Sequence, residues 1–415
     1  MEEILLREQL MERFKGYNYT VYNDARINEK ISSDLSYIVT EILKVIKSDH
    51  IHSIVLTGGF GRGEGGVIFE KKGEIRIVND YDIGIILREN PLKYLLNLKG
   101  YSEKTAYLSE RLAHELNIKQ VDLSVKNSNM LRFLPPTILY YETLNGYKLL
   151  YGNGDLTRII PNFKSEDLPL VEGTKLFLNR GGGLLIAAKY FIPSGDVEEH
   201  DKLNFIVECD KAIMAMGDSI LLLERKYHYS YIKRKEIIRS LNLKNVPLSE
   251  KIIPMYISAL ENKVKPDFDN YPKMDLITWW FEIQELYDEF FKQFEQIRLG
   301  VKFKTWLEYV NLRKFDRKYS IKRRLLETAK AGSKVKEFRS WKAVLNGKEA
   351  YLLGIMPLLL FSLKRDGYDD GLLSRAEELL KISVNGNEET KWKTLTDRFL
   401  LLWHETGEAT RVVGR

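Results

Sequence analysis

The sequence predicts an α+β chain: an N-terminal sheet domain over residues 1–165, then a large all-helical region. Three observations carry this expectation. Short β-branched runs alternate with amphipathic helical stretches only as far as about residue 165. Beyond that point apolar residues recur with a period near 3.6. The 415 residues are 44% hydrophobic and 29% charged, which excludes a disordered chain and suggests roughly two to three domains.

The elements follow in order. Ile31, Leu35, Ile38, Val39, Ile42, Leu43 and Ile46 share one helical face, so a helix is expected over 31–46. Ile51 to Thr57 reads as a strand that ends in the Gly58-Gly59 turn. Glu74 to Val78 and Tyr81 to Leu87 read as two further strands, 102–116 as a helix, and Lys119 to Val125 and Lys148 to Tyr151 as the last strands. Helices are then expected over 172–190, 201–224, 230–240, 249–262, 275–297, 304–330, 348–364, 371–383 and 390–405. Pro266 and Pro272, with polar turn residues between them, break the pattern. The helical region divides near 300, into an accessory domain over 166–300 and a basic C-terminal region over 301–415.

Composition excludes several classes. Cys209 is the one cysteine, so there is no intramolecular disulfide and no cysteine zinc site. His50 and His52 lack further zinc ligands nearby. The N-terminal residues are charged, with no apolar core of a signal peptide. The run Leu352 to Leu363 is interrupted by Pro357 and is too short to span a bilayer. A soluble, cytoplasmic protein with no membrane partner is expected.

The residues that carry chemistry are concentrated in Thr57-Gly58-Gly59-Phe60-Gly61-Arg62-Gly63-Glu64-Gly65-Gly66 and Asn79-Asp80-Tyr81-Asp82-Ile83. On a strand, a spacing of two turns Asp80 and Asp82 to one face and Tyr81 to the other. Adjacent carboxylates repel unless a cation lies between them, and hard oxygen ligands suit Mg²⁺ or Mn²⁺. Asp122 is a third acid, set in an apolar strand where a charge is costly unless paired. If its strand neighbours that of Asp80 and Asp82, three carboxylates converge, a set that can hold two metal ions and serve an in-line phosphoryl displacement. The glycine turn lets backbone N–H groups approach phosphate closely. Arg62 either meets phosphate or pairs with Glu64.

This arrangement resembles the DNA polymerase beta-like nucleotidyltransferase superfamily: an apolar strand, a glycine pair, an alternating acid pair and a later single acid. The likeness covers about residues 50–126. It implies Asp80, Asp82 and Asp122 as catalytic residues and as ligands of Mg²⁺ or Mn²⁺. Thr57, Gly58, Gly59 and Arg62 would bind an NTP, as would Lys211 on the accessory helices. The implied activity is transfer of a nucleoside monophosphate to a small molecule, a protein hydroxyl or an RNA end, with pyrophosphate leaving. Two departures stand out. Gly59 occupies a position where many members carry serine, and the interval before Asp80 is long, with a hairpin expected around Phe69 to Glu74.

Charge adds one partner. Residues 298–342 hold fifteen Lys or Arg against four Asp or Glu, interleaved with Trp306, Tyr309, Phe315, Tyr319, Phe338 and Trp341. Such a segment suits RNA, through phosphate contacts and base stacking, and equally suits a helix whose aromatics form core. The alternatives to the enzyme are a nucleotidyltransferase-fold module that binds RNA or a protein without chemistry, and a glycosyl transfer enzyme using the acid pair.

Overall fold

In a computed structural model the chain is described over residues 2–69, 74–192, 195–243, 246–268, 275–312 and 348–405. It is α+β, with a small mixed sheet near the N-terminus followed by many helices. Among the described residues it divides into two compact units. The first runs to Pro169 and takes in Glu224–Leu241 and Leu260–Asp267. The second takes Leu170–Leu223, Asn242–Ala259 and the described residues from Phe268 onward. The first boundary therefore lies close to the expected 165. Segment 224–241 joins the sheet unit through side chains that serve its glycine loop, and 260–267 through the Lys263 carbonyl and the Pro266 ring beside Gly66. No division falls at 300 among the described residues.

The first unit opens with α1 (Glu2–Phe14) and α2 (Ala25–Val45), the latter capped by the Asp24 carboxylate on the Arg26 N–H. Next come β1 (Ile51–Leu56), the one-turn helix α3 (Gly58–Arg62), β2 (Val67–Phe69), β3 (Ile75–Ile77) and β4 (Tyr81–Leu87). After these follow α4 (Pro91–Glu115), β5 (Val121–Asn127), α5 (Ser128–Leu131), α6 (Ile138–Asn145) and β6 (Lys148–Gly152). The sheet order is β5-β4-β1-β6. β4 and β5 run parallel, and β1 is antiparallel to both β4 and β6. β2 and β3 form the separate hairpin expected before Asp80.

Alternation along the strands sorts the two faces. Tyr81, Ile83, Ile85 and Leu87 point into the core built with α1, α2 and α4. Asp82, Gly84 and Ile86 point the other way, and on that side Val55 and Ile86 pack with Leu131, Leu144, Leu156 and Ile159. A strand buried over most of its length but bearing an acid near one end is how a sheet presents chemistry at its edge.

The elements from 170 onward are α7 (Val171–Phe191), α8 (Lys202–Leu223), α9 (Tyr231–Ser240), α10 (Ser249–Val264), α11 (Leu276–Leu299), α12 (Trp306–Asn311), α13 (Lys348–Ser362), α14 (Asp370–Leu380) and α15 (Glu388–Glu405). A two-residue ladder, β7 (Leu363–Lys364) with β8 (Gly367–Tyr368), interrupts the otherwise helical pattern. In the second unit α7 packs on α8, α11, α13 and α15. Its glycine cluster serves close helix contact: a Cβ on Gly181 or Gly182 would meet Met356 or Trp403. Trp306 and Tyr309 are buried there, bonded to Asp288 and Glu295, so these two aromatics are core. Residues 313–342, which carry most of the expected RNA-binding charge, lie outside the described residues. No described helix is long and apolar enough to cross a membrane.

Candidate active site

The parallel register of β4 and β5 sets Asp82 directly opposite Asp122. Residues opposed in register share a face, so these carboxylates meet on the side away from α2. Asp80 immediately precedes β4, two residues before Asp82. The acids feel one another. The pKa of Asp82 is pushed up to about 7, first by burial, then by the charges of Asp122 and Asp80, with Lys263 and Arg62 countering. Gln120 donates to Asp122 Oδ1.

The glycine turn abuts this cluster. Gly58 has φ +64°, and a Cβ placed on it would stand 1.9 Å from Asp82 Oδ2. Both the backbone conformation and the close carboxylate require glycine. Thr57 is tied to the same strand, its N–H donating to the Asp82 carbonyl at 2.8 Å and its hydroxyl at 3.2 Å. The Thr57 side chain makes no cap on α3. Gly58→Ala is expected to destabilise the sheet unit by roughly 1–3 kcal/mol, from the strained φ and the displaced carboxylate. Chemical denaturation measures this, and an alanine variant as stable as the parent would show that Asp82 does not rest on this turn.

The far side of the loop is bolted down. The Arg62 side chain is 2% exposed and lies 3.1 Å from Glu142 and 3.7 Å from Glu64. Arg234, equally buried, pairs with the same Glu142, which also accepts from the Tyr227 hydroxyl. Burial would raise the Glu142 pKa, but Arg62 and Arg234 hold it below the usual carboxylate value. Glu64 accepts from Ser230 Oγ at 2.5 Å and from the Tyr231 N–H at 2.8 Å, so it caps the N-terminus of α9. Arg62 is thus held among carboxylates, over the ring of Tyr231.

Two lysines close the site from other elements. Lys148 on β6 donates to the carbonyls of Gly61 (2.6 Å) and Phe60 (3.3 Å) at the C-terminal end of α3. Burial lowers its pKa to about 8. Lys263, near the end of α10, is the basic residue that most offsets the charge around Asp82. Its carbonyl lies 3.0 Å from where a Cβ on Gly66 would stand. Lys211 is in the second unit and pairs with Glu208 one helical turn away, at 2.7 Å.

Sequence reasoning did not single out Glu142, Lys148 or Lys263. Each lies more than 70 residues from the glycine turn and carries no motif.

Asp80, Asp82 and Asp122 are a donor set of the kind Mg²⁺ and Mn²⁺ prefer. Among the described residues no three His, Cys, Asp or Glu side chains stand close enough to hold an ion as they are. Asp82 and Asp122 share one face, with Asp80 adjoining; they are not a closed cage. What fits a divalent cation is the oxygen donor set itself, with Asp82 opposed to Asp122 in register; burial first, then the charges of Asp122 and Asp80, raise the Asp82 pKa, and a cation there would favour the ionised form. The chain matches no protein-family model, no curated protein and no solved structure.

Proposed function

We propose that the chain is a divalent-metal-dependent nucleotidyltransferase of the polymerase beta-like kind. It would transfer a nucleoside monophosphate from an NTP to an acceptor hydroxyl. One observation carries the reading: Asp82 and Asp122 oppose each other on parallel strands, with Asp80 adjoining and the Gly58 turn packed against the Asp82 carboxylate.

Mg²⁺ or Mn²⁺ bound by Asp80, Asp82 and Asp122 would offset negative charge on the attacking and leaving oxygens. The chain's own groups do the rest. Asp122 would help take the proton from the acceptor hydroxyl. The hydroxyl oxygen bonds to the α-phosphorus as the α–β bridging bond breaks, and pyrophosphate carries away the electron pair. The N–H groups of Gly58 and Gly59 open α3, where a helix has no internal partners for them, and are offered to phosphate oxygens. Lys263 adds positive charge beside Asp82 for the triphosphate. Thr57, Arg62 and Lys148 hold the turn in place.

The test is incubation with α-labelled NTPs and Mg²⁺ or Mn²⁺, separately with small hydroxyl compounds, with RNA and with the protein alone. Pyrophosphate release is followed in each. Label in one acceptor fraction is the expected result and identifies the acceptor class. Absence of NTP binding and of pyrophosphate under every condition overturns the reading. RNA binding that falls steeply with salt, yields no product and survives Asp80→Ala would favour a binding module instead.

A further inference from the structure

The acid strand and the glycine turn must be held at a fixed separation. Asp82 Oδ2 sits where a Gly58 Cβ would be, so sliding β4 toward α3 by a fraction of an ångström produces a clash, and sliding it away withdraws a carboxylate from the site. The parts that fix this separation lie behind the sheet, on the face opposite the acids.

Tyr81 stands between Asp80 and Asp82 and points to that opposite face, fully buried. Its hydroxyl donates to Asp34 Oδ2 at 3.0 Å. Asp34 belongs to α2, is 5% exposed, and has both oxygens bound by Lys30 Nζ at 2.7 Å. The Tyr81 ring also packs on Phe60, centroid to centroid 5.1 Å. Phe60 is the residue after the glycine pair, and its ring lies 2.0 Å from where a Cβ on Gly65 would stand. A buried strut therefore runs from Asp34, which the partly exposed Lys30 holds, through Tyr81 to Phe60, touching both halves of the site from the rear.

We propose that Asp34 and Tyr81 are positioning residues: their buried hydrogen bond sets the height of the Asp80 and Asp82 carboxylates against the glycine turn. This rests on the metal-dependent reading above. A bare hydrophobic contact would let the ring slide, whereas a phenol bonded to an ion-paired carboxylate has one seat. Misplacement of catalytic groups by about 1 Å costs on the order of a hundredfold in rate.

Tyr81→Phe keeps the ring and removes only the anchor. In the full chain it is expected to weaken Mn²⁺ binding, read by titration calorimetry, by about tenfold. It is expected to lower kcat for pyrophosphate release by ~10–100-fold, with KM for the NTP changed less than about twofold. Ser32→Ala is the control: Ser32 lies on α2 with Asp34, and its Oγ donates to the Tyr19 hydroxyl, outside the Asp34–Tyr81 hydrogen bond. It should lower the melting temperature and leave Mn²⁺ affinity and kcat as they are. Should Tyr81→Phe match the parent in both, or Ser32→Ala change both as strongly as Tyr81→Phe does, the strut is ordinary core and the inference is wrong. Failure of the parent chain to bind Mn²⁺ removes the enzymatic reading and this inference with it. Mn²⁺ binding by the parent with an unaffected Tyr81→Phe removes the inference alone.

Discussion

Asp82→Asn is expected to lower nucleotidyl transfer by about a thousandfold or more and, without divalent cations, to make the chain more stable than the parent at pH 8. The two effects share one cause. Asn keeps the shape of the side chain resting on Gly58 and removes one of three negative charges that influence one another there. Losing a group that offsets transition-state charge typically costs two to three orders of magnitude. On the proposed reading Asp82 also binds the metal, so its loss should cost at least that.

The stability effect depends on pH in a defined direction. Burial, Asp122 and Asp80 raise the Asp82 pKa to about 7 in the folded chain, from 3.8. Between those values the folded state holds more protons than the unfolded one. Stability from this group is therefore fully present below pH 3.8 and is lost as pH rises through 7. Above pH 7 the parent bears the whole repulsion, and the Asn variant bears less. The partial exposure of Asp82 reduces the difference to roughly 1–2 kcal/mol. Urea denaturation at pH 5 and pH 8, with chelator present, should show the variant's advantage growing with pH. Mn²⁺ should then stabilise the parent and not the variant. An advantage equal at both pH values would mean that the acids do not repel one another and that the cluster is not a cation site.

The sheet was readable because its strands are short, β-branched and bounded by glycine or polar turns. Ile51–Leu56 and Tyr81–Leu87 emerge at almost the limits expected for them. The site's acids were readable for the same reason, since alternation alone assigns Asp82 and Tyr81 to opposite faces. What one strand cannot disclose is register. That Asp122 stands opposite Asp82 follows from parallel pairing between β4 and β5, which depends on how α4 carries the chain across. The helices after 170 were legible as periodic stretches, but their allegiance was not. Residues 224–241 look like any surface helix until Ser230 and Arg234 are seen to bind Glu64 and Glu142. Glu142 escaped notice because nothing beside it in sequence shows two buried arginines converging from 80 and 92 residues away. α1 was missed because its apolar residues do not form one buried stripe: Ile4 and Leu5 are exposed, and Leu10 and Phe14 are buried.

That hidden carboxylate supports the second large effect. Glu142→Gln is expected to destabilise the sheet unit by roughly 2–4 kcal/mol, seen as a lower urea midpoint. Arg62 and Arg234 are each 2% exposed, and Glu142 stands between them, 20% exposed. The amide is nearly isosteric, so packing is retained. It offers one acceptor and two donors where two arginines need acceptors. One positive charge is left with Glu64 at 3.7 Å, and the other with the carbonyls of His228 and Tyr229. Removing one partner from a buried ion group costs more than the group contributes when intact, because the remaining charges have lost their solvent as well as their counterion. The sign with pH runs opposite to that at Asp82. Arg62 and Arg234 hold the Glu142 pKa below its ordinary value, so its contribution is present above about pH 4.5 and disappears as acid protonates the folded carboxyl. The parent and the Gln variant should therefore converge in stability toward low pH and separate toward neutrality. Arg62→Met combined with Glu142→Gln should cost less than the two single changes added together, since the double variant leaves fewer buried charges stranded. Strict additivity, or a Gln variant within about 0.5 kcal/mol of the parent, would show that Arg62 is not held by this carboxylate. The loop that carries Gly58 would then be free of the anchor described for it.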